Sequence, residues 1–194
     1  GMSVADVGAG MFTTIGVMMA LQVRNMTGKG QRVDTSLLEG QISMLAHFFT
    51  RYFASGEVPG PSGSGALTSP TYRAYQCSDD WIVISAFNQK MWNGLCAALE
   101  KSECLTDSRF IDPKSRATNR PILIPMIAEV IQKHPIEYWL KKLKENEVPC
   151  SPVNKIDKVV VQPQVLESKM IEELELTGLG MMKMAGLPIK FSDT

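Results

Sequence analysis

The chain has 194 residues with 20 Lys plus Arg against 20 Asp plus Glu, a formal charge of zero. That balance leaves no long-range field of one sign, which excludes general charge attraction to nucleic acid or an anionic membrane. With 44% hydrophobic and 21% charged residues, the composition is that of a folded globular protein, able to bury about 70% of its unfolded surface in one large core or two small ones.

In chain order, residues 1–6 lead almost at once into an apolar, Met-rich helix, as though the chain were entered in the middle of a domain. The most apolar stretch, residues 11–23, carries Thr13, Thr14 and Gln22 and falls short of the ~20 residues a membrane span needs. It is expected to be a helix buried in protein, and no basic segment ahead of it marks a secretory signal. Gly8 and Gly10 are placed where the chain turns into that helix, and Gly16 and Ala20 would let a neighbour approach its backbone. Gly28 and Gly30 are expected to end it with positive φ.

Residues 31–35 alternate as a short strand. Ser36 with Glu39 has capping-box spacing and opens a second helix to about residue 54, with Leu38, Ile42, Leu45, Phe49 and Phe53 on one stripe. Residues 56–70 turn abruptly to Gly, Pro and Ser, a long loop and a domain boundary. Residues 71–77 and 81–87 read as a hairpin. Helices are predicted over 89–100, 116–134 and 135–146, the middle one disturbed by Pro121 and Pro125. A Pro- and Val-rich run to 163 precedes a short helix near 164–170. Residues 171–176 and 181–184 form a second predicted hairpin, and 188–191 begin another strand.

Asp6, in an apolar and glycine-rich setting at a helix entrance, admits two readings. One is a cap stabilised by the helix dipole. The other is a nucleophile, with small glycines leaving room for an acyl substrate and helix amides stabilising developing negative charge. The cysteines, Cys77, Cys96, Cys104 and Cys150, lack metal or disulfide spacing and read as reduced thiols. His47 and His134 read as packing or helix-terminal residues. Lys141, Lys142 and Lys144 with Glu145 and Glu147 read as a solvated face, the methionines as core filler, and Trp81, Trp92 and Trp139 as core anchors.

The segment Ser3-Val4-Ala5-Asp6-Val7-Gly8-Ala9-Gly10, followed by the Met-rich helix and by Thr27-Gly28-Lys29-Gly30-Gln31-Arg32-Val33-Asp34-Thr35-Ser36-Leu37-Leu38-Glu39, closely resembles the family III CoA-transferases, the CaiB/BaiF family. The order of later blocks resembles it too: Pro70-Thr71-Tyr72-Arg73-Ala74-Tyr75, Ile82-Val83-Ile84, Asp107-Ser108-Arg109-Phe110, Asn119-Arg120, Val148-Pro149-Cys150-Ser151-Pro152-Val153 and Gln162-Pro163-Gln164-Val165.

The resemblance implies a mixed α/β (α+β) fold with three segments. Residues 1–57 would be a helical, incomplete part of a Rossmann-like large domain. Residues 58–165 would be the linker and small α+β domain, and 166–194 a return to the large domain. It implies that Asp6 attacks an acyl-CoA thioester to give an aspartyl anhydride and then an aspartyl-CoA thioester, with coenzyme A as substrate and no metal. By position, Gly63, Ser64 and Gly65 match a glycine-rich loop that in some relatives closes over the aspartate, although a plain linker is the alternative. Asn88 falls near the glutamate of the α-methylacyl-CoA racemase branch, and an amide is no general base, which favours transfer over isomerisation. The resemblance further implies an interlocked homodimer in the cytoplasm acting on an acyl-CoA and a small carboxylic acid. A chain without the rest of the large domain is expected to be inactive alone, or to be a non-catalytic remnant that self-associates through apolar helix faces.

Overall fold

The computed structural model describes residues 1–66 and 69–193. Leu67 and Thr68, within the predicted 56–70 loop, and Thr194 lie outside the described residues. By packing, the chain divides into two units, Gly1–Pro61 and Ser62–Thr194.

The first unit contains helices α1 (Val4–Thr27), α2 (Leu37–Met44) and α3 (Ala46–Ser55). α1 starts earlier than its sequence suggests, so Gly8 and Gly10 lie inside it and not at its entrance. Its N-cap is Ser3, whose side chain makes no capping bond, which corrects the reading of Asp6 as the cap. The glycines serve packing. A Cβ on Gly8 would lie 2.8 Å from the Met44 Cε, and one on Gly16 would lie 2.7 Å from a Val33 methyl. The absence of side chains therefore lets α1 and the 33–44 segment meet backbone-close. Gly28 ends α1 at φ 73°, its N–H reaching Arg24 O at 2.8 Å, but Gly30 is not in the left-handed region.

The predicted strand at 31–35 is extended chain without a partner strand among the described residues. Alternation alone does not make a ladder. Ser36 caps α2 as read, Glu39 N–H donating to Ser36 Oγ at 3.2 Å, but the Glu39 carboxylate accepts from the Ser36 hydroxyl at 2.7 Å and not from the Ser36 backbone N–H, so only one half of the capping box forms. The helix it opens is interrupted at Leu45, where no Gly or Pro announces a break.

Two expectations about α1 are corrected. It runs 24 residues and is, by length and composition, apolar enough to cross a membrane, so the stretch is not too short. Nor is it buried. Met11, Met18, Met19 and Met26 are all exposed, because this unit covers only the glycine-notched face.

In the second unit, β1 (Arg73–Gln76) and β2 (Trp81–Ile84) form the predicted antiparallel hairpin. β3 (Cys150–Pro152) adds to the other edge of β2, pairing Ile82 with Pro152 and Ile84 with Cys150. Three residues ending in proline carry no strand pattern, so β3 was not legible. α4 (Gln89–Ala98) follows, capped by Asn88, whose Oδ1 accepts from Met91 N–H at 2.9 Å. The helix predicted over 116–134 is two helices, α5 (Pro113–Thr118) and α6 (Arg120–Ile131), divided at Asn119. Pro121 sits in the first turn of α6, where a missing N–H costs nothing. α7 (Ile136–Glu145), α8 (Ile156–Val159), α9 (Pro163–Glu167) and the hairpin of β4 (Ile171–Leu176) with β5 (Gly180–Ala185) complete the order. Residues 188–191 form no strand.

The core lies between the three-stranded sheet and α4, α6 and α7, built on Ile82, Ile84, Trp92, Leu123, Trp139 and Leu143. Trp139 donates its indole N–H to Ile131 O at 2.7 Å. Trp81 does not belong to this core and is 44% exposed, since strand alternation that turns Ile82 and Ile84 inward turns it outward. Most methionines are likewise exposed, with Met91 and Met126 packed against the core. Arg116 is buried, lying 4.9 Å over the Trp92 ring and donating to Phe110 O at 2.8 Å and Gln89 Oε1 at 3.1 Å. Lys142 is not free on a solvated face but pairs with Glu100 and donates to Tyr138 Oη at 2.9 Å.

Cys77, Cys96 and Cys104 are buried and Cys150 is half-buried, all as free thiols. Burial pushes the Cys77 thiol up to about 11 and that of Cys96 up to about 12, from an ordinary value of 9.0. Because the folded state holds these protons more tightly, their contribution is complete below pH 9.0 and is lost as pH rises through the folded values. Melting temperature is therefore expected to fall as pH rises from 9 to about 12, and Cys77→Ser with Cys96→Ala should flatten that fall. A Cβ on Gly94 would drive into the carbonyl oxygen of Asn146, so Gly94→Ala should destabilise the second unit by ~1–3 kcal/mol in chemical denaturation.

Candidate active site

Asp6 is the third residue of α1, exposed, with no hydrogen bond or ion pair to its carboxylate among the described residues. Val4 N–H donates to Met2 O at 2.9 Å and Val7 N–H to Ser3 O at 3.1 Å, but the N–H groups of Ala5 and Asp6 meet no acceptor. Unsatisfied amides at a helix start favour negative charge beside them. On the Asp6 stripe stands Gly10, where an added Cβ would meet nothing within 4 Å. The carboxylate thus stands free, next to open space and to two amides without acceptors. Of the two readings the sequence left open for Asp6, the cap is excluded, because the N-cap of α1 is Ser3.

A cleft of about 330 Å³ lies in the same unit, with Phe12, Ile15 and Met19 on one wall and Asp34, Thr35 and Glu39 on the other. Thr13 and Thr35 close one side through a 2.7 Å hydroxyl contact. Both acids are engaged, Asp34 accepting from Arg32 Nε at 2.8 Å and Glu39 from Ser36. Asp6 does not line this cleft.

Gly63, Ser64 and Gly65 belong to the second unit, and Asp6 to the first. They run beside the free edge of β1. Ala74 N–H donates to Ser64 Oγ at 3.2 Å, and Ala66 N–H donates to Tyr72 O at 2.9 Å. The Ser64 hydroxyl is thus occupied in tying the loop to the strand. The two glycines flank Arg73, a residue the sequence reading passed over. Its signal was present in the alternation, since Arg73 and Tyr75 fall on the face of Ile82 and Ile84.

Several blocks that carried the resemblance turn out to hold the scaffold. Arg109 Nη2 donates to Asp107 Oδ2 at 2.6 Å and holds that carboxyl below the usual carboxylate range. Asn119 Nδ2 donates to Arg109 O at 3.1 Å. Val148 is buried in the core and the residues after it make β3.

The sequence pattern described as CoA-transferase family III matches residues 1–194. The chain belongs to that family. It is 30% identical over 195 residues to the succinyl-CoA:mesaconate CoA-transferase of Haloarcula marismortui, covering 100% of this chain and 48% of that protein. It is 26% identical over 192 residues to the human succinyl-CoA:glutarate CoA-transferase, covering 99% and 44% respectively. A CaiB/BaiF family protein from Brucella suis has the same fold at a TM-score of 0.79 and 28% identity, over 100% of this chain and 50% of that one. A protein from M. tuberculosis matches at a TM-score of 0.81 and 20% identity, again over 100% and 50%, and shows the fold alone. This family III chain thus spans about half the length of the relatives it matches.

Membership accounts for the mixed helix and strand content and for the order of the blocks.

Proposed function

We propose that this chain is part of an enzyme that moves coenzyme A between carboxylic acids, with Asp6 as the nucleophile. The observation that carries the reading is the free carboxylate of Asp6 in the first turn of α1, on a chain matched from end to end by a CoA-transferase pattern. Named relatives acting on succinyl-CoA with glutarate or mesaconate support a small dicarboxylic acid as partner substrate.

A carboxylate oxygen of Asp6 attacks the thioester carbonyl of the donor, the C–S bond breaks, and CoA leaves as thiolate. The thiolate then attacks the aspartyl carbonyl of the mixed anhydride, releasing the donor acid and leaving CoA as a thioester on Asp6. The acceptor carboxylate attacks that thioester and displaces the thiolate, which finally attacks the acceptor's acyl carbon and frees Asp6 as carboxylate. Atoms balance without ATP, because every intermediate is an activated acyl group of comparable energy. The amides of Ala5 and Asp6, without acceptors, suit the negative charge that develops at the aspartyl carbonyl.

In this reading residues 1–57 and 166–194 belong to a Rossmann-like large domain of a longer protein, and residues 58–165 to its small domain. Gly63, Ser64 and Gly65 contact the substrate, and the assembly is a cytoplasmic homodimer that interlocks. Asn88 caps α4 with its side-chain oxygen, and an amide so used supplies no base for racemisation, which keeps transfer ahead of isomerisation. The apolar residues exposed on α1 and α2 suit a chain completed by more protein, and they also sustain a second reading, a remnant that only self-associates.

In the longer protein, Asp6→Asn should reduce transfer from succinyl-CoA to glutarate by roughly 10³-fold or more. Hydroxylamine quenching of the unsubstituted protein with succinyl-CoA should place a hydroxamate on the peptide containing Asp6, read by mass spectrometry. Normal turnover in Asp6→Asn would end the proposal. The 194-residue chain by itself is expected to show no exchange in the same assay while sedimenting as an oligomer, and a strict monomer would count against both readings.

A further inference from the structure

Arg73 is the arginine in this chain that is half-buried and has no hydrogen bond or ion pair among the described residues. Other arginines are satisfied: Arg32 by Asp34, Arg51 by Glu57, Arg109 by Asp107, and Arg116 by Phe110 and Gln89. Arg24 also has no such bond but is exposed, where water serves. Arg73 lies in β1 opposite Ile84, so its side chain shares the core face of the sheet with Ile84, which is 0% exposed. Drawing a cation out of water is costly unless an anion or a set of acceptors meets it.

Two glycines shape the surroundings. A Cβ on Gly65 would lie 3.3 Å from both Cζ and Nη1 of Arg73, and one on Gly63 would lie 3.8 Å from Nη2. Gly63 also requires φ 59°. Since Ser64 ties this loop to Ala74, the glycines are held against the guanidinium by the backbone of its own strand. Tyr75, two residues on and on the same face, buries a hydroxyl that finds no partner among the described residues. The Arg73 charge acts on it, opposing the burial that pushes its pKa up. Two donors therefore share one face of β1 with no acceptor among the described residues, beside two glycines that leave room for the guanidinium.

We propose that Arg73, cradled by Gly63 and Gly65, binds an oxyanion of the reactants: the free carboxylate of a dicarboxylic acid or a phosphate of coenzyme A. A guanidinium fork matches either group with two charge-assisted hydrogen bonds. The choice of these anions rests on the transferase reading, but the site itself is formed by Gly63, Gly65, Arg73 and Tyr75 of the second unit and is assayed without turnover.

Calorimetric titration of the 194-residue chain with succinate, with coenzyme A and with inorganic phosphate tests it. Succinate or coenzyme A should bind. Arg73→Gln should weaken that probe about 10-fold or more, and Arg73→Lys should weaken it less. Gly65→Val, which leaves the arginine and fills its cradle, should weaken binding as Arg73→Gln does, and it decides the matter if Arg73→Gln does not fold. Dependence on Arg73 with succinate alone assigns the carboxylate, and with coenzyme A alone the phosphate. The proposal is overturned if Arg73→Gln binds as the unsubstituted chain does, if neither succinate nor coenzyme A binds, or if inorganic phosphate binds as tightly as both. A chain that binds through Arg73 while the Asp6 experiments fail would discard the transferase reading and leave the anion site standing.

Discussion

Where α1 meets α2 there is no room for a side chain. Gly8 faces Met44 and Gly16 faces Val33, while an added Cβ on Gly40 would lie 3.5 Å from the Phe12 ring. Gly8 and Gly16 leave the space that the Met44 and Val33 side chains occupy, and Ser36, accepting from Glu39 N–H, fixes where α2 begins. Gln41 Nε2 then reaches back to Val4 O at 3.5 Å, into the turn that carries Asp6. The position of the one free carboxylate on this helix start thus depends on contacts with residues 33–44, distant from it in sequence, and larger side chains at those glycines would move the turn before they touched the acid.

The second unit solves a different problem. The sheet that carries its core has three short strands, one face of which is covered by helices, with Trp92 and Trp139 as the bulkiest buried groups. Polar atoms are drawn into this core where they can be satisfied, as Arg116 is by Phe110 O and the Trp92 ring. Arg73 on the neighbouring strand lacks such acceptors. The contrast between two inward arginines, one satisfied by protein and one not, separates scaffold from a candidate binding group more sharply than either burial or charge alone.

Much of this arrangement was legible beforehand. The first hairpin could be read because two β-rich runs flank Ser78-Asp79-Asp80, and the second because Gly178 and Gly180 interrupt another pair. Both glycines indeed adopt positive φ. Ser36 could be read because capping is local chemistry between residues three apart. The misses have the opposite character. Residues 31–35 alternate as a strand should but lack a neighbour, whereas β3 lacks the pattern and is a strand because β2 offers it an edge. Trp81 looked like an anchor by size, yet the pleat assigned it to solvent. Asp6 drew attention through its glycine-rich setting, while whether it caps α1 depended on where that helix begins.

Sequence by itself determined the family, the local caps and turns, and the acid near the start of α1, because each of these is written in residues a few positions apart or in the order of short blocks. Only the tertiary structure decided which face of α1 is covered, which strands pair, and that Arg73 turns inward beside Gly63 and Gly65 without an acceptor. Those outcomes depend on groups distant in sequence competing for the same space, and whether a buried charge has a partner is a property of that space.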